Sequence, residues 1–370
     1  MKHVVIATHE YPPRIGGAGI VARDLATSLS QLDGYYVSVI TQYDASLLSV
    51  LRKRVIIDSD SGFKIVRIPV FRNTWFVSYP YIFRRVVPTD CDLLVYNDFA
   101  ISYLTKSSDF PYVHYIHGKE KYLEFSGFLK STILSFDKIF RRSIRDSYRV
   151  VCVSSFIKGW LLNLGLPQDL SKVKVLENHI DKSLFYRTTD IPPEYQLSGM
   201  EGKTVLITAS RLVEGKGYAR MLKIFNEIVQ DGDKEIHWVI AGDGDYRKEF
   251  ENDISKYGLQ NRLTLLGRVD RKSLLYYYAQ ADLFWLLSDF EEAYPLVYKE
   301  AIACGLPAIG NDLGGVSEVV SHGVDGYVCS TDEDVKHIIG SRSYEVLRNS
   351  PLSDEFDKLS FAREFIRVVS

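Results

Sequence analysis

No apolar run in this chain approaches the about 18 residues that a membrane-crossing helix needs, so an integral helical membrane protein is excluded as a reading. Cysteine is scarce. Cys91, Cys152, Cys304 and Cys329 show no CxxC or metal-ligand spacing and sit in apolar surroundings, which excludes a disulfide scaffold and a cysteine zinc site and leaves buried thiols in a reducing compartment. The opening MKHVVIATHEYPP is too short and too soon interrupted to read as a signal peptide, so a cytoplasmic location is expected. No recognisable nucleic-acid-binding module occurs, and no nucleic-acid partner is expected. A strong overall charge is also missing, since the formal net charge is −2. That balance hides an asymmetry. Residues 1–182 hold 24 Lys+Arg against 17 Asp+Glu, and the remainder 21 against 30, net charges of +7 and −9 that fit two domains with different partners. With 370 residues, 46% of them apolar and 25% charged, the chain can form two ordinary globular cores.

What is present is an alternation of short apolar runs with amphipathic stretches, the pattern of an α/β protein. Val4–Ala7, Val37–Ile40, Lys64–Ile68, Leu93–Tyr96, Val113–Ile116 and Arg149–Val153 read as strands in the first half. Thr204–Ala209, His237–Ala241, Leu263–Leu266, Leu283–Leu287 and Ala308–Gly310 read as strands in the second. Between the first strand and a helix expected from about Ile20 to Leu32 lies HEYPPRIGGAG, where Gly16 and Gly17 either form a tight turn or let the backbone approach a phosphate. After Thr204–Ala209 comes SRLVEGKGYARMLKIF, with Arg211 and Lys216 five apart at a helix start. Cations there oppose the helix dipole unless an anion is bound. His117 ends the strand Val113–Ile116, at the edge where open α/β sheets gather ligands, whereas His114 faces the other way and reads as structural.

The densest stretch is Asp289–Gly310, DFEEAYPLVYKEAIACGLPAIG, in which Glu292 and Glu300 flank seven residues. Tyr294-Pro295 reads as a loop leading into a helix over Leu296–Cys304, stopped by Gly305-Leu306-Pro307. A helix N-terminus suits a diphosphate, and carboxylates accept hydrogen bonds from sugar and ribose hydroxyls. Two spaced glutamates alone would equally fit a solvated helix face.

Taken with the flanking EAIACGLPAIGNDLGGVSEVV, this stretch resembles the glutamate-seven-glutamate signature of retaining GT-B glycosyltransferases, the family-4 group in particular. The resemblance implies a GT-B fold, two doubly wound Rossmann-like α/β domains facing across a cleft. Residues 1–182 would be the acceptor side and 183–355 the nucleotide-sugar side, with a C-terminal helix at about 356–370 packing back on the first domain. It implies that Glu292 binds the donor sugar, Glu300 the ribose, and Arg211 with Lys216 the diphosphate, where they stabilise the leaving group. It places His117 against the donor sugar near the reacting carbon, and Gly16 and Gly17 beside the diphosphate. Arg268 and Val269 would meet the nucleobase through their backbone, and Ala293, Tyr294, Leu296 and Val297 would complete donor binding. The implied reaction is metal-independent, cofactor-free transfer of a sugar from a nucleoside diphosphate sugar to a hydroxyl with retention. Two alternatives stay open: a GT-B nucleotide-sugar epimerase, and a non-catalytic nucleotide-binding protein.

Asp90-Cys91-Asp92 has the form of the DxD metal motif of other glycosyltransferases, but it directly precedes a strand and reads as the start of that strand. Glu177-Asn178-His179-Ile180-Asp181 resembles the family's Asn-Gly-x-Asp segment with His179 in place of glycine. Two stretches, Val70–Arg85 and Lys119–Arg145, mix basic and aromatic residues. The second carries seven basic against three acidic residues. It reads as an interfacial helix on anionic lipid, slightly ahead of a sheet-covering helix with a solvated face. A glycan or lipid-linked acceptor at the inner face of the cell membrane is therefore expected.

Overall fold

The computed structural model describes every residue except 14–15, 61, 72–80, 84, 99–109, 120–135, 168, 233–234 and 349–357. The chain divides into two units, Met1–His179 with Asp357–Ser370, and Ile180–Phe356.

The first unit begins with β1 (Lys2–Ala7), which leads to α1 (Gly17–Ser30) and β2 (Tyr35–Asp44). The turn α2 (Leu47–Leu51), β3 (Ile56–Asp60), β4 (Phe63–Val70), β5 (Leu93–Tyr96) and β6 (Tyr112–Ile116) follow. The unit continues through α3 (Phe136–Asp146), β7 (Arg149–Cys152), α4 (Ser155–Asn163) and β8 (Val173–Val175). The strand order is β3-β4-β2-β1-β5-β6-β7-β8. All pairings are parallel except β3 with β4. Val4 to Ala7 are buried on both faces, which is why the inner strands read as unbroken apolar runs. The edge strand β3 exposes Ile56 and Ile57 and carries Asp58 and Asp60, so it lacks that signal. Helix α1 begins three residues before the expected Ile20, because Gly16 takes the extended N-cap position.

The second unit holds β9 (Thr204–Ala209), α5 (Tyr218–Gln230), β10 (Ile236–Ala241), α6 (Arg247–Lys256), β11 (Leu263–Gly267) and α7 (Arg271–Ala279). It continues with β12 (Leu283–Leu286), α8 (Leu296–Ala303), β13 (Ala308–Asn311), β14 (Gly326–Cys329) and α9 (Asp332–Ser341). Its six strands run in the order β11-β10-β9-β12-β13-β14, all parallel. Under the sheet, Trp238 and Trp285 pack with ring centroids 4.8 Å apart. The Thr208 hydroxyl joins them, accepting from Trp238 Nε1 at 3.0 Å and donating to Trp285 O at 2.7 Å.

The last helix, α10 (Lys358–Val369), belongs to the first unit and packs on α1. Its Phe361 stacks on His179 at 4.2 Å, and Phe365 lies 6.1 Å from the Tyr115 ring. His179 thus fills a packing position that a glycine would leave empty.

Both sheets are doubly wound. Chain order reverses between β1 and β5 in the first and between β9 and β12 in the second, and the loops leaving those strands at their carboxyl ends are where such sheets bind ligands.

Candidate functional site

In the second unit, the loops after β9 and β12 are held against each other by glycine. Gly217, the N-cap of α5, has φ +75°, and a Cβ there would lie 1.9 Å from the Leu287 carbonyl oxygen. The Asp289 amide donates to Gly215 O at 2.8 Å. This contact brings Lys216 to Glu292, whose Oε1 accepts from the Lys216 ammonium and, at 3.0 Å, from the Ser288 hydroxyl. The backbone of Glu292 is fixed in turn, since its carbonyl accepts from the Gly315 amide at 2.7 Å. One cation, one carboxylate and one hydroxyl therefore meet at the switch point of this sheet. Arg211 starts the same β9 loop, is exposed, and forms no ion pair among the described residues.

Glu300 sits on α8 and is 5% exposed. Its Oε1 lies 2.8 Å from both Nε and Nη2 of Arg271, the first residue of α7, and the guanidinium lies over the Phe185 ring at 5.2 Å. Burial, and after it the nearby Glu300 charge, push the Tyr278 hydroxyl and the Cys304 thiol well above their usual ranges. Sequence reasoning missed Arg271; the available signal was a guanidinium in the first turn of a helix, where the dipole disfavours it. Helix α8 starts at Pro295 without a side-chain cap and has no acidic residue in its first turn. Around that start, Tyr294 is buried, and Ala293, Leu296 and Val297 are half-buried. Arg268 is exposed and Val269 half-buried, just past Gly267 with φ +72°.

In the first unit, the ends of β1, β5 and β6 gather Thr8, His9, Asn97, Asp98 and His117. Asn97 Nδ2 donates to Ala18 O at 3.0 Å, which turns its Oδ1 toward His117 Nε2 at 2.8 Å. That contact puts the imidazole proton on Nε2 and leaves Nδ1 as an acceptor, enclosed and without a partner among the described residues. Burial lowers the His117 pKa to about 4 against an opposing effect of Asp98, so the ring is neutral at physiological pH. Asp98 is 8% exposed. Burial alone would raise its carboxyl, but the facing His9 ring and hydrogen bonds from His9 N at 2.6 Å and Thr8 Oγ1 at 3.0 Å hold it below the usual carboxylate range. His9, Asn97 and Asp98 were not singled out from sequence. Gly16, half-buried at the start of α1, lies against the Glu10 carboxylate, while Gly17 is exposed.

Asp90 and Asp92 serve the start of β5 as structure. Asp92 accepts from His3 N at 2.7 Å, and Asp90 lies 3.0 Å from His3 Nδ1 and accepts from Tyr36 OH. His114 is buried and hydrogen-bonded to Ser143. Among the described residues no three His, Cys, Asp or Glu are grouped to hold a metal ion.

Two family models match the chain: Glycosyltransferase Family 4 over residues 15–184 and Glycosyl transferases group 1 over residues 196–358. Over 248 residues the chain is 27% identical to the N-acetyl-alpha-D-glucosaminyl L-malate synthase of Bacillus anthracis, a match spanning 61% of this chain and 63% of that enzyme. Over 352 residues it is 23% identical to the GPI3 subunit of a Saccharomyces cerevisiae phosphatidylinositol N-acetylglucosaminyltransferase, covering 92% of this chain and 74% of the subunit. In fold it is similar to Anabaena HepE solved with UDP, with a TM-score of 0.77, 20% identity, and coverage of 100% and 99% of the two chains. The fold is therefore that of the GT-B glycosyltransferases, the architecture expected from sequence. Within that class the chain belongs to the group 1, or family 4, glycosyltransferases, enzymes that transfer a sugar from a nucleotide sugar.

Proposed function

We propose that this enzyme transfers a sugar with retention from a nucleoside diphosphate sugar to a hydroxyl of a lipid-linked glycan. The observation that carries the donor half is the contact of Lys216 with Glu292 at the β9/β12 switch point. Lys216, with Arg211 nearby in sequence, is the cation for the diphosphate; Glu292 takes hydroxyls of the transferred sugar and Glu300 those of the ribose. The uncapped start of α8 and the backbone after Gly267 suit the rest of the donor. His117 is the neutral imidazole that the family resemblance sets against the donor sugar, where it adds no fixed charge. In the reaction the bond from the anomeric carbon to the diphosphate breaks and the acceptor oxygen bonds to that carbon on the same face. The acceptor proton passes to a phosphate oxygen of the leaving group. Lys216 and Arg211 stabilise the charge that develops there.

Support for a lipid-linked acceptor comes from the likeness to a phosphatidylinositol N-acetylglucosaminyltransferase subunit and from the basic face of α3. The interfacial helix expected from sequence is corrected here, because α3 buries its apolar face in the unit and has none left to enter lipid. Helix α3 carries Lys138, Arg141, Arg142 and Arg145 and buries Phe136, Phe140 and Ile144 on its other face. Residues 72–80, 84 and 120–135, which hold most of the remaining basic and aromatic residues, lie outside the described residues. No helix among the described residues is long and apolar enough to cross a membrane, so attachment would be peripheral.

A panel of UDP-, GDP- and ADP-sugars, scored by thermal shift and then by release of the nucleoside diphosphate with and without acceptor glycolipid, tests the reading. Release stimulated by the glycolipid is expected. Conversion of the donor to a free epimer without acceptor would overturn transfer. Flotation with phosphatidylglycerol vesicles at low and high salt tests attachment; a protein that stays unbound at low salt would remove the membrane part of the proposal.

A further inference from the structure

We propose that Arg271 is a positioning residue for Glu300 and thereby sets the enzyme's discrimination between ribonucleotides and nucleotides lacking ribose hydroxyls. The inference rests on the reading of Glu300 as the ribose ligand and adds a residue which that reading does not contain. A carboxylate buried as deeply as Glu300 is stable only with a cation or several donors beside it. Arg271 supplies the cation and one hydrogen bond, since its Nε donates to Glu300 Oε1 at 2.8 Å while Nη2 of the same planar guanidinium lies 2.8 Å from that oxygen. A carboxyl gripped at one oxygen by a rigid donor has lost its freedom to rotate, and so the direction of its acceptor lone pairs is set in advance.

The grip is itself built. Asp270 caps α7 by accepting from the amides of Lys272 at 2.9 Å and Ser273 at 3.1 Å, which fixes where the helix, and hence Arg271, begins. The Phe185 ring beneath the guanidinium holds its plane. The helix dipole opposes a cation in the first turn, so local sequence does not explain Arg271 at this position, whereas Glu300 does.

Binding is measured on the full chain by titration calorimetry, using whichever of UDP, ADP and GDP binds most tightly and its 2′,3′-dideoxy counterpart. Hydrogen bonds from ribose hydroxyls to a charged acceptor predict a wild-type preference for the ribonucleotide of about tenfold or more. Glu300→Gln should reduce that ratio to within about threefold, and Arg271→Met should do the same although it leaves the glutamate in place. Arg271→Lys keeps a positive charge over Phe185 but loses the rigid planar guanidinium whose Nε fixes the Glu300 oxygen, and it too should lose most of the ratio; it carries the test if the methionine variant does not fold. A role confined to packing would weaken both nucleotides equally and leave the ratio untouched. Folded Arg271 variants that keep the wild-type ratio, beside a Glu300→Gln variant that loses it, would overturn the positioning role alone. A Glu300→Gln variant that keeps the ratio would overturn the ribose reading and the inference with it.

Discussion

Replacing Lys216 with methionine should damage stability and catalysis together, in amounts that can be separated. From the sequence alone Lys216 has no visible protein partner. In the structure its side chain retains only 15% of its surface and that of Glu292 only 21%, and the two are in direct contact. At an effective dielectric of about 20, charges this close attract by about 4 kcal/mol or more before desolvation is subtracted. Breaking an exposed pair costs at most about 1 kcal/mol and breaking a fully buried one about 3–5 kcal/mol. This pair lies between those limits, so Lys216→Met should cost about 2 kcal/mol, because Glu292 keeps only the Ser288 hydroxyl at 3.0 Å among its side-chain contacts here. In a unit of this size that lowers Tm by about 4–8 °C. Glu292→Gln should cost a similar amount. The double variant, which buries no unpartnered charge, should be more stable than the sum of the two losses predicts by about 1 kcal/mol. Catalysis should not recover with it: kcat falls by about 100-fold in Lys216→Met and stays low in the double variant, since the leaving group has lost its cation. Thermal unfolding of the unliganded protein and donor turnover measure the two effects. Additive stability losses would refute the ion pair. A folded Lys216→Met enzyme with near-normal kcat would refute the role at the leaving group.

Glu300→Gln should weaken binding of the bare nucleoside diphosphate, while Glu292→Gln should spare it and reduce transfer; calorimetry showing equal binding by both variants would remove that division of roles. Gly217→Ala should destabilise the second unit by more than about 2 kcal/mol or prevent folding, because the added methyl would meet the Leu287 carbonyl at 1.9 Å and the residue has φ +75°. Stability should fall as pH drops below about 6.5. Burial depresses the His114 pKa to about 3, so its contribution is fully present above the unfolded value and is lost as protons bind the unfolded chain first. At pH 5 that loss is about 2 kcal/mol, His117 and His237 act in the same direction from about 4, and His114→Gln should flatten the profile of unfolding midpoint against pH.

The inner strands were legible because a parallel strand covered on both faces must be apolar throughout, and Leu93–Tyr96 and Thr204–Ala209 match the expected spans residue for residue. The strands β3, β8 and β14 were not, since they are short or carry polar and exposed residues. Lys216, Glu292 and Glu300 could be picked out because glycines and a proline punctuate the loops that carry them. Their partners could not. Arg271 meets Glu300 across 29 positions and Asp98 meets His9 across 89. A cation at a helix start hints that Arg271 has a partner, but nothing local identifies Glu300 or announces the His9 contact, which only strand order creates. The same holds for the basic helix. Arg141 is clamped to Asp137 at 2.9 Å, and Arg142 and Arg145 share Asp146 at 3.4 and 2.8 Å, so part of the charge counted from sequence is neutralised on the helix itself.

The charge distribution explains why the Lys216 contact matters more than its size suggests. Residues 183–356, nearly all of the second unit, hold 18 Lys+Arg against 28 Asp+Glu, a net charge of −10, yet by our reading they bind the diphosphate of the donor. A diffuse negative field is screened within about 8 Å at physiological salt, so the diphosphate responds to what lies at the switch point and much less to the whole unit. There the local positive charge is Lys216, with Arg211 in the same loop and the uncapped amides of α8. An ammonium held beside a ring, as Lys216 is 5.8 Å above Phe290, would in an empty site be costly to keep without a counterion. Glu292 is that counterion. When a donor brings both a diphosphate and a hydroxyl-bearing sugar, each member of the pair gains a partner from the same molecule. A diphosphate without a sugar satisfies Lys216 but leaves Glu292 facing an anion, whereas the complete donor satisfies both. The site should therefore hold a nucleotide sugar in preference to the nucleoside diphosphate that leaves after transfer, and Glu292→Gln should reduce that preference. Competition calorimetry between the donor and its nucleoside diphosphate measures it directly; an unchanged preference in the variant would show that Glu292 plays no part in telling substrate from product.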